Sequence, residues 1–360
     1  MMNFYENFVS NTLASTASQK MYFAENEIEL TSRVYYKVFV SGKFEYSFLY
    51  QDTIDGTFAG GDESRANMCS GEWKILSAKV AVTDGLEASA MDSAEQISLS
   101  FDGQREKSVL PREVFATDPV SLEVGEGQFV AVELTFKGKS FPHHPEVQIS
   151  TYVKTENGWD DSVITPLPSM VGIKRNPKLR VSFWGDSITQ GIGAGKDSYL
   201  HYAAQTAELL GKEYSFWDIG IGYGRARDGA SLGSWAERAK HCDVISVCFG
   251  VNDIGWHDNA ENIKSYLRAI VEFIKGQGIK LLLQSVPPFN YKENTRPVWE
   301  EVNKYIKEEL APLADLFFDN VPTLSPSSEE PHMAKYGGHP NAEGCAAWAK
   351  VLAPALKKLL

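Results

Sequence analysis

Near residue 178 the hydrophobic pattern of this 360-residue chain changes period. Before that point short runs alternate apolar and polar residues, at 35–40, 72–76, 79–82, 96–101, 130–136 and 147–153. Gly, Asp, Asn or Ser separates most of them, and no long helical period intervenes. This predicts an antiparallel all-β sandwich of jelly-roll type. After 178, apolar strands at 180–184, 214–219, 244–249, 280–286 and 315–319 alternate with helical stretches. The clearest helix carries Ile263, Tyr266, Leu267, Ile270, Val271 and Ile274 on one stripe, and Gly276 and Gly278 end it. Alternation of this kind predicts an α/β domain, a parallel sheet with helices on both faces. The two domains are expected at 1–172 and 178–360, joined through the proline-bearing stretch 165–177.

Bulk properties agree with two soluble domains. Apolar residues make up 43% of the chain and charged residues 23%. The net charge of −12 argues against a protein that tracks nucleic-acid phosphates or an anionic membrane surface. Residues 1–7 lack the basic and apolar regions of a signal peptide, and no apolar run approaches the ~20 residues of a membrane span. The expected location is cytoplasmic. Cys69, Cys242, Cys248 and Cys345 show no metal-ligand spacing and read as reduced thiols. His143, His144 and His332 likewise suggest no metal site. No cofactor is expected, and the sequence leaves a homo-oligomer open.

The strand at 180–184 runs into Gly185-Asp186-Ser187-Ile188-Thr189. A serine on a small-residue turn after a parallel strand lies where such sheets present ligands. To act as a nucleophile it needs a base and donors for a developing oxyanion. The next two strands end at Asp218-Ile219-Gly220-Ile221-Gly222-Tyr223-Gly224 and at Gly250-Val251-Asn252-Asp253. Tyr336-Gly337-Gly338-His339-Pro340-Asn341 precedes a helix expected from 342. Taken singly, Ser187 reads equally as a helix cap, His339 as a surface histidine and Asn252 as a turn cap.

Together and in this order, the four blocks resemble the SGNH (GDSL-type) hydrolase superfamily, over about half of the chain. The resemblance implies a flavodoxin-like three-layer α/β/α domain that hydrolyses esters through an acyl-enzyme. It casts Ser187 as nucleophile and His339 as base. The implied oxyanion donors are the Ser187 N–H, a second-block N–H from Gly222, Tyr223 or Gly224, and the Asn252 side chain. Two of the blocks depart from the family pattern. In the second block, Asp218 replaces the usual Asn, and Tyr223 stands five residues on where Gly is usual. Three residues before His339, Tyr336 replaces the usual Asp. A main-chain carbonyl near Tyr336 or Gly337 is preferred as the group orienting His339, with Glu330 as the alternative.

Asp186, Asp253, Trp256 and Arg225 are further candidates for the substrate pocket, although Asp186 and Asp253 also suit a purely turn-shaping role. A sandwich ahead of such a domain resembles the layout of two-domain carbohydrate esterases. The expected activity is therefore a serine esterase removing a short acyl group, acetyl, from a sugar or oligosaccharide. An acyltransferase using the same pair is one alternative. A carbohydrate-binding protein with a decayed site is another. The expected partners are small-molecule or oligosaccharide esters, with neither nucleic acid nor membrane.

Overall fold

The computed structural model describes residues 4–56 and 66–360. Backbone packing divides the chain into two compact units, residues 1–54 with 67–176 and residues 55–66 with 177–360.

The first unit holds two antiparallel sheets. In one, Gly42–Gln51 pairs with Met170–Ile173, Val114–Ala116 and Val120–Val124, and Val9–Ser10 extends it beyond Met170–Ile173. The other is ordered Gly158–Asp161, Thr151–Thr155, Lys20–Lys37, Phe129–His143, Trp73–Thr83 and Ile97–Ser98, with Lys107–Val109 also on Trp73–Thr83. Aromatic rings join the two faces. Trp73 lies 6.4 Å from Phe115 of the first sheet and from Phe136 and Phe141 of the second. Its indole N–H donates to Asp52 Oδ1 at 3.0 Å, so the ring is core and its one polar atom is satisfied.

Several elements differ from the sequence pattern. The runs 72–76 and 79–82 are one strand, with a register shift between Ile75 and Ser77. The expected connector 165–177 contains a sheet strand, Met170–Ile173.

In the second unit, strands β1 (Arg180–Gly185), β2 (Ser215–Asp218), β3 (Val244–Cys248), β4 (Lys280–Gln284) and β5 (Leu316–Phe318) form one parallel sheet in the order 2-1-3-4-5. The order reverses between β1 and β3. In flavodoxin-like sheets the ligand crevice opens outside the carboxyl ends at that switch point.

The helices used below are α1 (Ser187–Gln190), α2 (Tyr202–Leu210), α3 (Ala226–Ala230), α4 (Ser234–Ala239), α5 (Val251–Gly255), α6 (Ala260–Gly276), α7 (Arg296–Tyr305) and α8 (Ala342–Leu356). They pack in two groups, α2 with α8 and α6 with both α3 and α7. Right-handed crossovers and the reversal of strand order put one group on each face. Ile263, Leu267, Ile270, Val271 and Ile274 of α6 are buried, as their spacing requires, and Tyr202 of α2 stacks on Trp348 of α8 at 4.0 Å. No helix among the described residues is long and apolar enough to cross a membrane.

Asp55 belongs to this second unit although the sequence pattern grouped it with the first. Its Oδ2 lies 2.7 Å from Arg238 Nη2 of α4, and Ser234 Oγ donates to its Oδ1 at 2.9 Å. Both charges are fully buried, and among the described residues Arg238 has no other carboxylate partner. Removing one member of a buried pair leaves the other charge uncompensated. Asp55→Ala is therefore expected to lower the unfolding free energy by about 3–5 kcal/mol. Urea denaturation of the full chain measures this, and an unchanged midpoint would contradict it.

Candidate active site

The turn after β1 is tightly packed. A Cβ at Gly185 would lie 2.5 Å from the Cys248 carbonyl of β3 and nearer still to Thr189 Oγ1, so only glycine fits. Asp186 caps α1 by accepting the Ile188 N–H at 2.9 Å. Burial, aided by the charge of Asp253, pushes its carboxyl up to about 7. Ser187 follows as the first residue of α1. Its Oγ lies 2.8 Å from His339 Nε2, across 152 positions of sequence. His339 is set by the turn before α8, where Asn341 Oδ1 accepts the Gly344 N–H at 3.0 Å. Burial holds the imidazole pKa below its ordinary 6.5, and among the described residues no charged neighbour offsets this.

The second and third blocks are tied together. Asn252, in the first turn of α5, donates from Nδ2 to the Gly224 carbonyl at 2.9 Å. An amide nitrogen carries two hydrogens, so this bond uses one of them. Asp253 is fully buried and accepts the N–H groups of Ala226 at 2.9 Å and Arg227 at 3.2 Å, at the start of α3. Burial pushes its carboxyl up to about 6. Within the turn the Gly222 N–H donates to Gln190 Oε1, and the Gly224 N–H to the Ile221 carbonyl at 3.0 Å. Tyr223 sits between them in the left-handed region, φ +59°. That is the backbone a glycine favours, and a tyrosine holds it at a cost of about 1–3 kcal/mol.

Among the described residues neither a carbonyl of Tyr336 or Gly337 nor Glu330 is hydrogen-bonded to His339. The Tyr336 carbonyl accepts the Asn341 N–H at 3.2 Å, and the Tyr336 ring packs on the start of α8 at Gly344 and under Lys335. Glu330 is exposed, and its backbone N–H donates to Ser327 Oγ. Among the described residues no hydrogen bond is made to His339 Nδ1. The pocket candidates separate in the same way. Asp186, Asp253 and Arg225 are buried, as Ser187 is, and the carboxylates of Asp186 and Asp253 accept backbone N–H groups of the site loops. The Arg225 N–H donates to Asp228 Oδ2 at 3.0 Å, and its side chain lies beside that carboxylate. Trp256, which ends α5, is 39% exposed and remains open to a ligand.

Four residues at or near the site carry no local sequence signal. Gln190 holds the Gly222 N–H. His201 Nε2 lies 3.1 Å from Asp218 Oδ2 in a buried pair, while Asp218 Oδ1 accepts the Gly220 N–H at 2.8 Å. Phe289 packs against the His339 ring. Trp235 of α4 donates its indole N–H to the Ile219 carbonyl at 2.7 Å, anchoring the second-block turn from behind. Each contact joins residues distant in sequence. No group of three or more His, Cys, Asp or Glu among the described residues is arranged to hold a metal.

Residues 183–347 match the GDSL-like Lipase/Acylhydrolase family. The chain carries a GDSL-like acylhydrolase domain. It is thus a carboxylic ester hydrolase, and the acylhydrolase domain is preceded by antiparallel sheets. No curated protein matches the chain significantly. Similar solved structures include a carbohydrate acetylesterase from Sinorhizobium meliloti, 19% identical, covering 51% of this chain and all of that one at a TM-score of 0.42. An aryl esterase from M. smegmatis is 15% identical over 50% of this chain and 99% of that one, with a TM-score of 0.41. A family two carbohydrate esterase from Cellvibrio japonicus is 12% identical over 98% of this chain and 96% of that one, with a TM-score of 0.39.

Proposed function

We propose that this protein is a serine esterase that removes a short acyl group, acetyl, from a sugar or oligosaccharide, using Ser187 and His339 without an acidic third member. The observation that carries the reading is the 2.8 Å contact between Ser187 Oγ and His339 Nε2. It joins a strand-end serine to a half-buried imidazole kept neutral at pH 7. His339 Nε2 takes the hydroxyl proton as Ser187 Oγ attacks the ester carbonyl. The oxyanion is met by the Ser187 N–H, the second Asn252 Nδ2 hydrogen and the Tyr223 N–H. Tyr223 holds the left-handed backbone at the position of the family's second-block donor, which supports it in that role. His339 then passes the proton to the leaving alcohol, and water, activated by the same nitrogen, releases the acid.

The near-neutral pKa values of Asp186 and Asp253 favour this chemistry, because each is partly or largely protonated near pH 6–7 and so repels an oxyanion less. Bulk at Tyr223, where glycine is usual, supports a small acyl group. The order of a β-sandwich followed by an acylhydrolase domain supports a sugar alcohol by analogy of layout.

Asn252→Ala removes one oxyanion donor. It is expected to lower kcat by about 10²–10³-fold with little change in KM, and steady-state kinetics on p-nitrophenyl acetate check it. For the substrate, acetate release from acetylated oligosaccharides is compared with hydrolysis of p-nitrophenyl esters of increasing chain length. The reading expects acetyl to be preferred and acetylated sugar to be deacetylated to free acetate. Preference for an octanoyl ester, or transfer of acetyl to an added sugar instead of water, would overturn it.

A further inference from the structure

A serine-hydrolase base ordinarily has its imidazole fixed by a carboxylate on Nδ1. His339 has no such bond among the described residues, and neither Tyr336 nor Glu330 supplies one. Torsions about a Cβ–ring bond are broad and roughly two-fold, so an imidazole held only through Nε2 is free to rock. A displacement of about 1 Å in a reacting group costs on the order of 10²-fold in rate. Something other than an acid must therefore restrain the ring.

Two contacts bear on it. The Phe289 ring lies 5.4 Å from the imidazole at 80°, an edge-to-face arrangement. Phe289 follows β4 at the carboxyl edge of the sheet, and it is itself held. A Cβ at Gly338 would come within 2.9 Å of the ring, so the backbone next to His339 lies directly against it. On its other side Phe289 meets Tyr291 at 6.4 Å, Tyr291 stacks on Trp299 at 5.6 Å, and the Trp299 indole donates to the Val286 carbonyl at 2.9 Å. The second contact comes from the loop after α1. Gly193, at φ +98°, passes so close that a Cβ there would sit 2.9 Å from His339 Cβ and 2.8 Å from its carbonyl oxygen. The loop leaving the nucleophile helix thus presses on the root of the histidine, and an anchored ring restrains its plane.

We infer that Phe289 and Gly193 are positioning residues that hold His339 in line with Ser187 by packing, in place of an acid partner. The inference rests on the Ser187–His339 reading given above. Phe289 packs on the imidazole and acts through the histidine, and this separates it from a residue that merely walls an acyl pocket. A pocket wall changes KM and acyl preference. A positioning residue changes kcat, and only while the histidine is present.

The full chain is assayed on p-nitrophenyl acetate as Phe289→Leu, Phe289→Tyr, Gly193→Ala, His339→Ala and the Phe289→Leu/His339→Ala double variant, each checked for folding by circular dichroism. Phe289→Leu is expected to lower kcat about 10²-fold with KM within about twofold, and Phe289→Tyr to recover most of the loss. The double variant is expected to be no slower than His339→Ala alone, because the two act as one unit. Gly193→Ala is expected to lower kcat similarly; should it fail to fold, Phe289→Leu decides alone. Phe289→Leu with an unchanged kcat, or with a change confined to KM or acyl-length preference, overturns the inference. A fully active His339→Ala instead overturns the Ser187–His339 reading on which it rests.

Discussion

Replacing Ser187 by Ala is expected to lower kcat for ester hydrolysis by about 10⁴–10⁶-fold, as measured for nucleophiles of this type. In the proposed mechanism Oγ forms the acyl bond, and among the described residues no other hydroxyl is hydrogen-bonded to His339 Nε2. Folding is expected to survive. The Asp186 cap on the Ile188 N–H uses neither Ser187 side-chain atom, and the lost hydroxyl is half of one hydrogen bond. Residual activity above the water rate would come from Asn252 and the turn donors, which remain in place. A Ser187→Ala protein with wild-type turnover would place the chemistry elsewhere.

The loss on replacing His339 by Ala is expected to be of similar size, about 10⁴-fold or more, and not additive with Ser187→Ala because the pair acts as a unit. The pH profile of the native protein is the sharper result. Nε2 works as a base only when neutral, so kcat/KM falls as pH drops through the imidazole pKa of the free enzyme. Burial disfavours the imidazolium, and among the described residues no carboxylate stabilises it. The acid limb is therefore expected below pH 6.5. An apparent pKa above 6.5 would mean that an anion stabilises His339⁺ after all. Asp186, at about 7, titrates in the same region, and Asp186→Asn separates its contribution. For stability the sign runs the same way. A histidine with a lowered folded pKa binds protons more weakly folded than unfolded, so its contribution to stability is lost as pH falls below 6.5.

The sequence was most legible where chemistry is local. The turns at Gly185, Gly250 and the segment before α8 each combine a small or polar residue with the end of an apolar strand or the start of a helix, and all three recur in the fold as expected. The stripe of α6 was equally plain, because its 3.6-residue period runs through the whole helix. Legibility failed where tertiary packing decides. Much of Lys20–Lys37 is exposed and charged, so alternation is weak, yet it pairs along its length with Phe129–His143. The second-block donor could not be chosen from spacing, because Gln190 removes the Gly222 N–H from consideration through a side chain 32 positions away. The Asp55–Arg238 pair spans 183 positions. Tyr336 stands where an acid was expected, and the packing contacts on His339 come from Phe289 and Gly193, neither of which carries a motif.

The most direct test of the account is covalent labelling. The native protein is treated with a sulfonyl fluoride that reacts with activated serines, and intact mass and peptide mapping locate the adduct. The account predicts a single adduct on Ser187, loss of esterase activity in proportion to labelling, and no adduct in Ser187→Ala or, on the same timescale, in His339→Ala. Activity lost with the adduct on another residue, or rapid labelling of Ser187 in the absence of His339, would contradict it.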